Sequence, residues 1–141
     1  MSYATVADVQ ARLDPASGIG FTISATSRPS TDQVQSFIDQ VAGELDSALR
    51  KQDYTTPATG TSDVLMLGRY NAEKAAAMAW HAHGGNFDDS PAKVKRWEKD
   101  YEDFLNRLRQ GQQGLIDQDP GGDDQPFFGV VGPVSRDDYF S

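Results

Sequence analysis

One run in this 141-residue chain restricts its possible folds more than any other: Val34, Phe37, Ile38, Val41, Leu45 and Leu49 recur at steps of three and four. That period places all six on one face of a helix and is incompatible with a strand, where residues on the same face stand two apart. Ser30 precedes the run as an N-cap with Gln33 at the capping-box position, and the Pro/Thr/Gly stretch over 55–62 should stop the helix near Lys51. Burying six such side chains stabilises by roughly 1.5–3 kcal/mol each before conformational entropy is counted, enough for this helix to anchor a fold.

Three further helices are legible around it. The first is short, with Thr5 as N-cap and Asp8 three residues on, and it buries Val6, Val9 and Leu13. The third begins after Ser62 and runs to His83, with Gly84 and Gly85 supplying a left-handed exit. Its Val64, Leu65, Met66, Leu67, Tyr70, Met78 and Trp80, with the alanines between Ala72 and Ala82, leave almost no polar face. A helix that is apolar all round is normally central, and in so small a body another subunit is a candidate to supply part of its walls. The fourth has Ser90 as N-cap, Pro91 at the first helical position and a seam of Val94, Trp97, Tyr101, Phe104, Leu105 and Leu108. Opposite charges four apart at Arg96/Asp100, Lys99/Asp103 and Asp103/Arg107 support its outer face, and Gly111 ends it. The expected fold class is all-α: a small bundle of about four helices, a long loop after the first and an extended C-terminal arm.

The composition shift at residue 110 divides the chain into a helical body, 1–110, and an acidic arm, 111–141. The arm holds six of the 21 acids but one of the 13 bases. The 14–29 connection is long for a compact helical domain, and its Phe21-Thr22-Ile23-Ser24 alternates with strand period, as a short extended ribbon or hairpin would. The arm groups Phe127, Phe128, Val130, Val131 and Val134 between Pro126 and Pro133 and ends in Tyr139-Phe140. A disordered acidic tail has little reason to collect aromatics and valines in this way. The expectation is a segment that stays extended and is covered by a partner, with Phe21 and Ile23 as further partner-binding candidates. The alternative is that the arm folds back over its own body; the Gly-rich run before the patch favours reach instead.

Several function classes are excluded. No apolar run approaches the length of a membrane span, and the N-terminus lacks the pattern of a signal peptide. The absence of cysteine removes disulfides, thiolate metal sites and a cysteine nucleophile. A net charge of −8 argues against wrapping nucleic acid by phosphate neutralisation. His81 and His83, with Asp88 and Asp89 nearby, are the one constellation suggestive of a metal or a hydrolase. Two residues apart on a helix point about 200° apart, so capping of the last turn is the better reading. Asp88-Asp89-Ser90 reads as the start of a helix, Gly18-Ile19-Gly20 lacks a phosphate-binding fingerprint, and Ser17, Ser24, Ser27 and Ser30 lack a nucleophile elbow. Lys93, Lys95, Arg96 and Lys99 interleave with Glu98, Asp100, Glu102 and Asp103. They read as a solvated face, though a small helical DNA-binding regulatory protein would use them. Trp80 and Trp97 read as core. No catalytic residue, cofactor or metal is expected.

The order of elements carries a resemblance. The opening Tyr3-Ala4-Thr5-Val6-Ala7-Asp8-Val9-Gln10-Ala11-Arg12-Leu13, then a loop, then Pro29-Ser30-Thr31-Asp32-Gln33-Val34-Gln35-Ser36-Phe37-Ile38 continuing to Asp46-Ser47-Ala48-Leu49, resembles the head–tail connector (adaptor) proteins of long-tailed double-stranded DNA bacteriophages. The alanine-rich third helix and amphipathic fourth match that layout too, so the resemblance covers residues 1–110 and leaves the arm unmatched. It implies a structural virion protein of the neck, assembled in the host cytoplasm. Such a protein forms a ring of about twelve copies under the portal protein, extends the DNA channel and presents a surface to a stopper or tail-terminator protein. DNA would be passing cargo only, and no membrane is involved.

Overall fold

A computed structural model describes residues 2–15, 20–84 and 91–118. Those residues form four helices: α1 (Val6–Arg12), α2 (Thr31–Lys51), α3 (Thr61–Ala82) and α4 (Ala92–Arg109). Among the described residues there is no strand.

The first two helices start where local chemistry dictates. Thr5 accepts from the Asp8 amide at 3.2 Å while the Asp8 carboxylate accepts from the Thr5 amide at 2.9 Å. Ser30 and Gln33 form the same reciprocal pair ahead of α2. Three helices leave through a left-handed residue: Asp53 after α2 (φ 65°), Gly84 after α3 (φ 113°) and Gly111 after α4 (φ 72°). Around Gly111 the amides of Gly111 and Gln112 return to the carbonyls of Leu108 and Arg107, the paired bonds of a Schellman exit.

The start of α4 differs from expectation. Pro91 occupies the N-cap position, not the first helical one, because its ψ of 151° is extended; its carbonyl accepts the first helical bond, from Lys95 at 3.1 Å. Ser90 lies outside the described residues, as do Gly85, Asp88 and Asp89.

Helix α3 is central, as its composition requires, and it packs on α1, α2 and α4. Its walls come from this chain. Leu67, Ala72, Ala75, Ala76, Ala77 and Ala79 are buried, and the small side chains let the neighbouring helices approach closely. In the described residues, Leu65 is the only large apolar side chain of α3 left exposed, at 71%. Trp80, expected in the core, is half-buried and meets His81 edge-on, whereas Trp97 is buried.

The core has two parts. One gathers Val9, Leu13, Phe21, Val34, Ile38, Val94, Trp97 and the α3 alanines. The other gathers Val41, Leu45, Leu49, Tyr54, Leu67, Tyr101, Phe104, Leu105 and Leu108. Between them the fully buried Asn71 accepts from the Tyr3 amide at 2.9 Å and donates to the Ile38 carbonyl at 3.0 Å. Tyr3 then donates to Asp46 and accepts from the Ala58 amide, tying the N-terminal segment to α2 and to the loop that follows it.

Candidate functional site

The loop residues 20–24 form no hairpin. Instead the Gln10 carboxamide takes the place of a neighbouring strand: its Nε2 donates to the Phe21 carbonyl at 2.9 Å and its Oε1 accepts from the Ile23 amide at 2.7 Å. The alternation read from sequence is real, but it points Phe21 inward. Phe21 is buried in its own chain and stacked on His83 with ring centroids 3.9 Å apart; Ile23 is half-buried against the same core. Phe21 therefore presents little surface to a partner. The other expected partner-binding residues, Phe127, Phe128, Val130, Val131, Val134, Tyr139 and Phe140, lie outside the described residues.

The histidines diverge. His81 Nε2 stands 3.3 Å from Glu98 of α4, while His83 Nδ1 lies 2.7 Å from the Arg28 carbonyl. Capping of the last turn by the imidazoles is replaced by these two tertiary contacts. Among the described residues no group of three or more histidine, aspartate or glutamate side chains could hold a metal ion. Ser30 is committed to capping α2, and Ser27 donates to the Pro29 carbonyl at 2.6 Å. In the basic cluster, Lys99 is paired with Asp103 at 2.9 Å and Lys93 lies over the Trp97 ring at 5.5 Å; Lys95 and Arg96 remain exposed. Asp100 turns towards Arg69 of α3 at 3.8 Å.

The arrangement that sequence reasoning missed is at the start of α3. Gly60, its N-cap residue, has no side chain to offer the first-turn amides. Asp117 supplies the acceptor from the far end of the chain: its Oδ2 receives the amides of Ser62 at 2.8 Å and Asp63 at 3.2 Å. Asp63, fully buried, returns the favour by accepting from the amides of Ile116 at 2.6 Å and Asp117 at 3.0 Å. This is the logic of a capping box with its two halves on different segments. Leu115 adds a bond to the Tyr54 hydroxyl, and Gln118 pairs twice with the Thr55 backbone. The close approach demands glycine at position 60, since a Cβ there would overlap the Asp117 side chain.

Residues 113–118 thus form a strap bonded to the body. The only trace of this in the sequence is Leu115-Ile116 between Gly114 and Asp117, a short apolar pair inside an otherwise polar stretch.

The first turns of α3 and the outer face of α1 enclose a shallow groove of about 240 Å³, lined in part by Asp8, Arg12, Val64, Leu65, Gly68 and Arg69. Leu65 and Ile116, each 71% exposed, are the exposed large apolar side chains among the described residues, and both stand at this end of α3. The Arg12 guanidinium donates to the Asp8 carbonyl at 3.1 Å, and Arg69, its side chain 54% exposed, pairs with Glu73 at 3.2 Å. The groove sets the apolar Val64 and Leu65 beside two guanidinium groups and the Asp8 carboxylate.

No described helix is long and apolar enough to cross a membrane. Compared with known protein families, curated proteins and solved structures, the chain matches none.

Proposed function

We propose that this protein is a head–tail connector of a tailed bacteriophage, a ring-forming virion component between the portal and the tail or stopper. The observation that carries the reading is the order of elements. A short, boxed α1 is followed by a long connection, a boxed α2, an alanine-rich central α3 and an amphipathic α4, over the same stretch that bears the family resemblance.

Two further features support it. The candidate catalytic side chains that fall among the described residues are engaged in structural bonds. The acidic balance suits a protein beside passing DNA, because few cations are available to displace counterions and grip the backbone. The segment beyond Gln118, with Phe127, Phe128 and Tyr139, acts as a docking arm on a neighbouring component.

The test is the mass of the purified chain alone and after mixing with portal-bearing capsids. Ring-sized particles on the portal vertex, with Phe127, Phe128 and Tyr139 against another chain in a reconstruction of the neck, are the expected result. A chain that ignores portals, or that instead binds DNA with affinity falling steeply as salt rises, overturns it.

A further inference from the structure

We propose that residues 114–118 of the strap and the first turn of α3 form a latch: they open and close together, as one cooperative unit that parts from the bundle well before the bundle unfolds. The inference goes beyond the connector reading and holds whatever the chain assembles with.

Three observations carry it. The first is what holds the strap. Upstream, the Gln113 amide returns to the Arg107 carbonyl at 3.1 Å and belongs to the exit of α4. From Gly114 to Gln118, no backbone-to-backbone bond joins the chain to the body among the described residues. The contacts run through side chains: the Tyr54 hydroxyl, the Asp63 and Asp117 carboxylates and the Gln118 carboxamide. Apolar anchorage is slight, since Ile116 is 71% exposed and Leu115 is only partly buried. A segment with few buried apolar contacts and hydrogen bonds at the surface opens at a small fraction of the free energy of global unfolding.

The second is mutual dependence. The Ser62 and Asp63 amides rest on Asp117 Oδ2, and the Ile116 and Asp117 amides rest on the two oxygens of Asp63. Gly60 has no side chain with which to replace Asp117 as a cap. Lifting the strap therefore breaks four bonds at once, two on each partner.

The third is Asp63 itself. It is fully buried, and both its oxygens are occupied by strap amides. A carboxylate that loses its donors is stable only where water reaches it. Asp63 is the third residue of α3, so hydrating it moves the turn that carries it. The strap and residues 61–63 thus share one equilibrium, and whatever lifts the former is registered at the root of the central helix.

Amide exchange with solvent, measured by NMR on the full chain under native conditions, tests this at positions the substitutions do not touch. Gln118→Ala removes the two bonds to the Thr55 backbone, neither of which involves α3. It should accelerate exchange of the Ser62 and Asp63 amides by the same factor as those of Ile116 and Asp117, roughly fivefold, while the Leu45 amide inside α2 keeps its parent rate. Ser62→Gly loosens the first turn of α3 from the other side and should accelerate Ile116 and Asp117 about twofold. If Gln118→Ala speeds Ile116 and Asp117 but leaves Ser62 and Asp63 at their parent rates, the strap lifts alone from an intact helix. If none of the four responds, or all exchange only as slowly as the α2 core, the strap has no opening of its own. Each of these results overturns the latch.

Discussion

Asp117 does for α3 what Thr5 and Ser30 do for α1 and α2, but from 54 and 55 positions away. The chemistry is ordinary, a carboxylate accepting first-turn amides at the positive end of a helix. The consequence of distance is that one side chain serves two purposes: it ends the orphan state of the α3 amides and it fixes the strap. Asp117→Ala should therefore cost about 1–2 kcal/mol, at the upper end of what a cap is worth, read as a lowered urea midpoint. Asp117→Asn keeps an acceptor and should lose less. An Asp117→Ala midpoint equal to that of the parent chain would mean that the reciprocal bonds with Asp63 carry no stability.

At the scale of the elements, the parts legible from sequence are those whose causes lie within one or two helical turns. The α2 stripe is an example: Val34, Ile38, Val41, Leu45 and Leu49 are buried as the spacing requires, and only Phe37 sits at the margin. The boxes at Thr5 and Ser30 and the glycine exit at Gly111 are equally local. What escaped reading has non-local causes. The α3 start depends on Asp117; the period-two run at Phe21 is completed by the Gln10 amide in place of a strand; and Asp100 bonds across to α3 instead of along its own helix.

The passage of the N-terminal segment over α3 is another non-local fact, and it makes a prediction for that pair of elements. A Cβ at Gly68 would stand 2.7 Å from the Tyr3 carbonyl oxygen, and backbone cannot yield as a side chain does. Gly68→Ala, normally favourable in a helix interior, should here destabilise by about 1–3 kcal/mol, because the clash outweighs the gain in helix propensity. Thermal unfolding monitored by circular dichroism would show it, and a raised midpoint would refute the close approach.

For the whole molecule, two tyrosine hydroxyls bind distant segments together through carboxylates: Tyr3 donates to Asp46, and Tyr101 donates to Glu44 at 2.7 Å. Burial first, and the hydrogen bond to a carboxylate second, push both phenols well above their ordinary range. The folded protein then keeps protons that the unfolded chain releases above about pH 10. Stability from these groups is complete below that point and is lost as pH rises beyond it. Denaturant midpoints should hold below about pH 10, the ordinary phenol value, and fall progressively above it. Tyr3→Phe or Tyr101→Phe should flatten the fall, and an equal slope in both variants would contradict the assignment.

The strap has a mechanical consequence. A load applied beyond residue 118 does not run back along the chain to the end of α4. It is delivered first to the carboxylates of Asp117 and Asp63 and to the amide pair between Gln118 and Thr55. Tension arriving from the C-terminal side is thus taken up by the middle of the bundle, at the root of its most enclosed helix, while α4 and its connection to the strap stay slack.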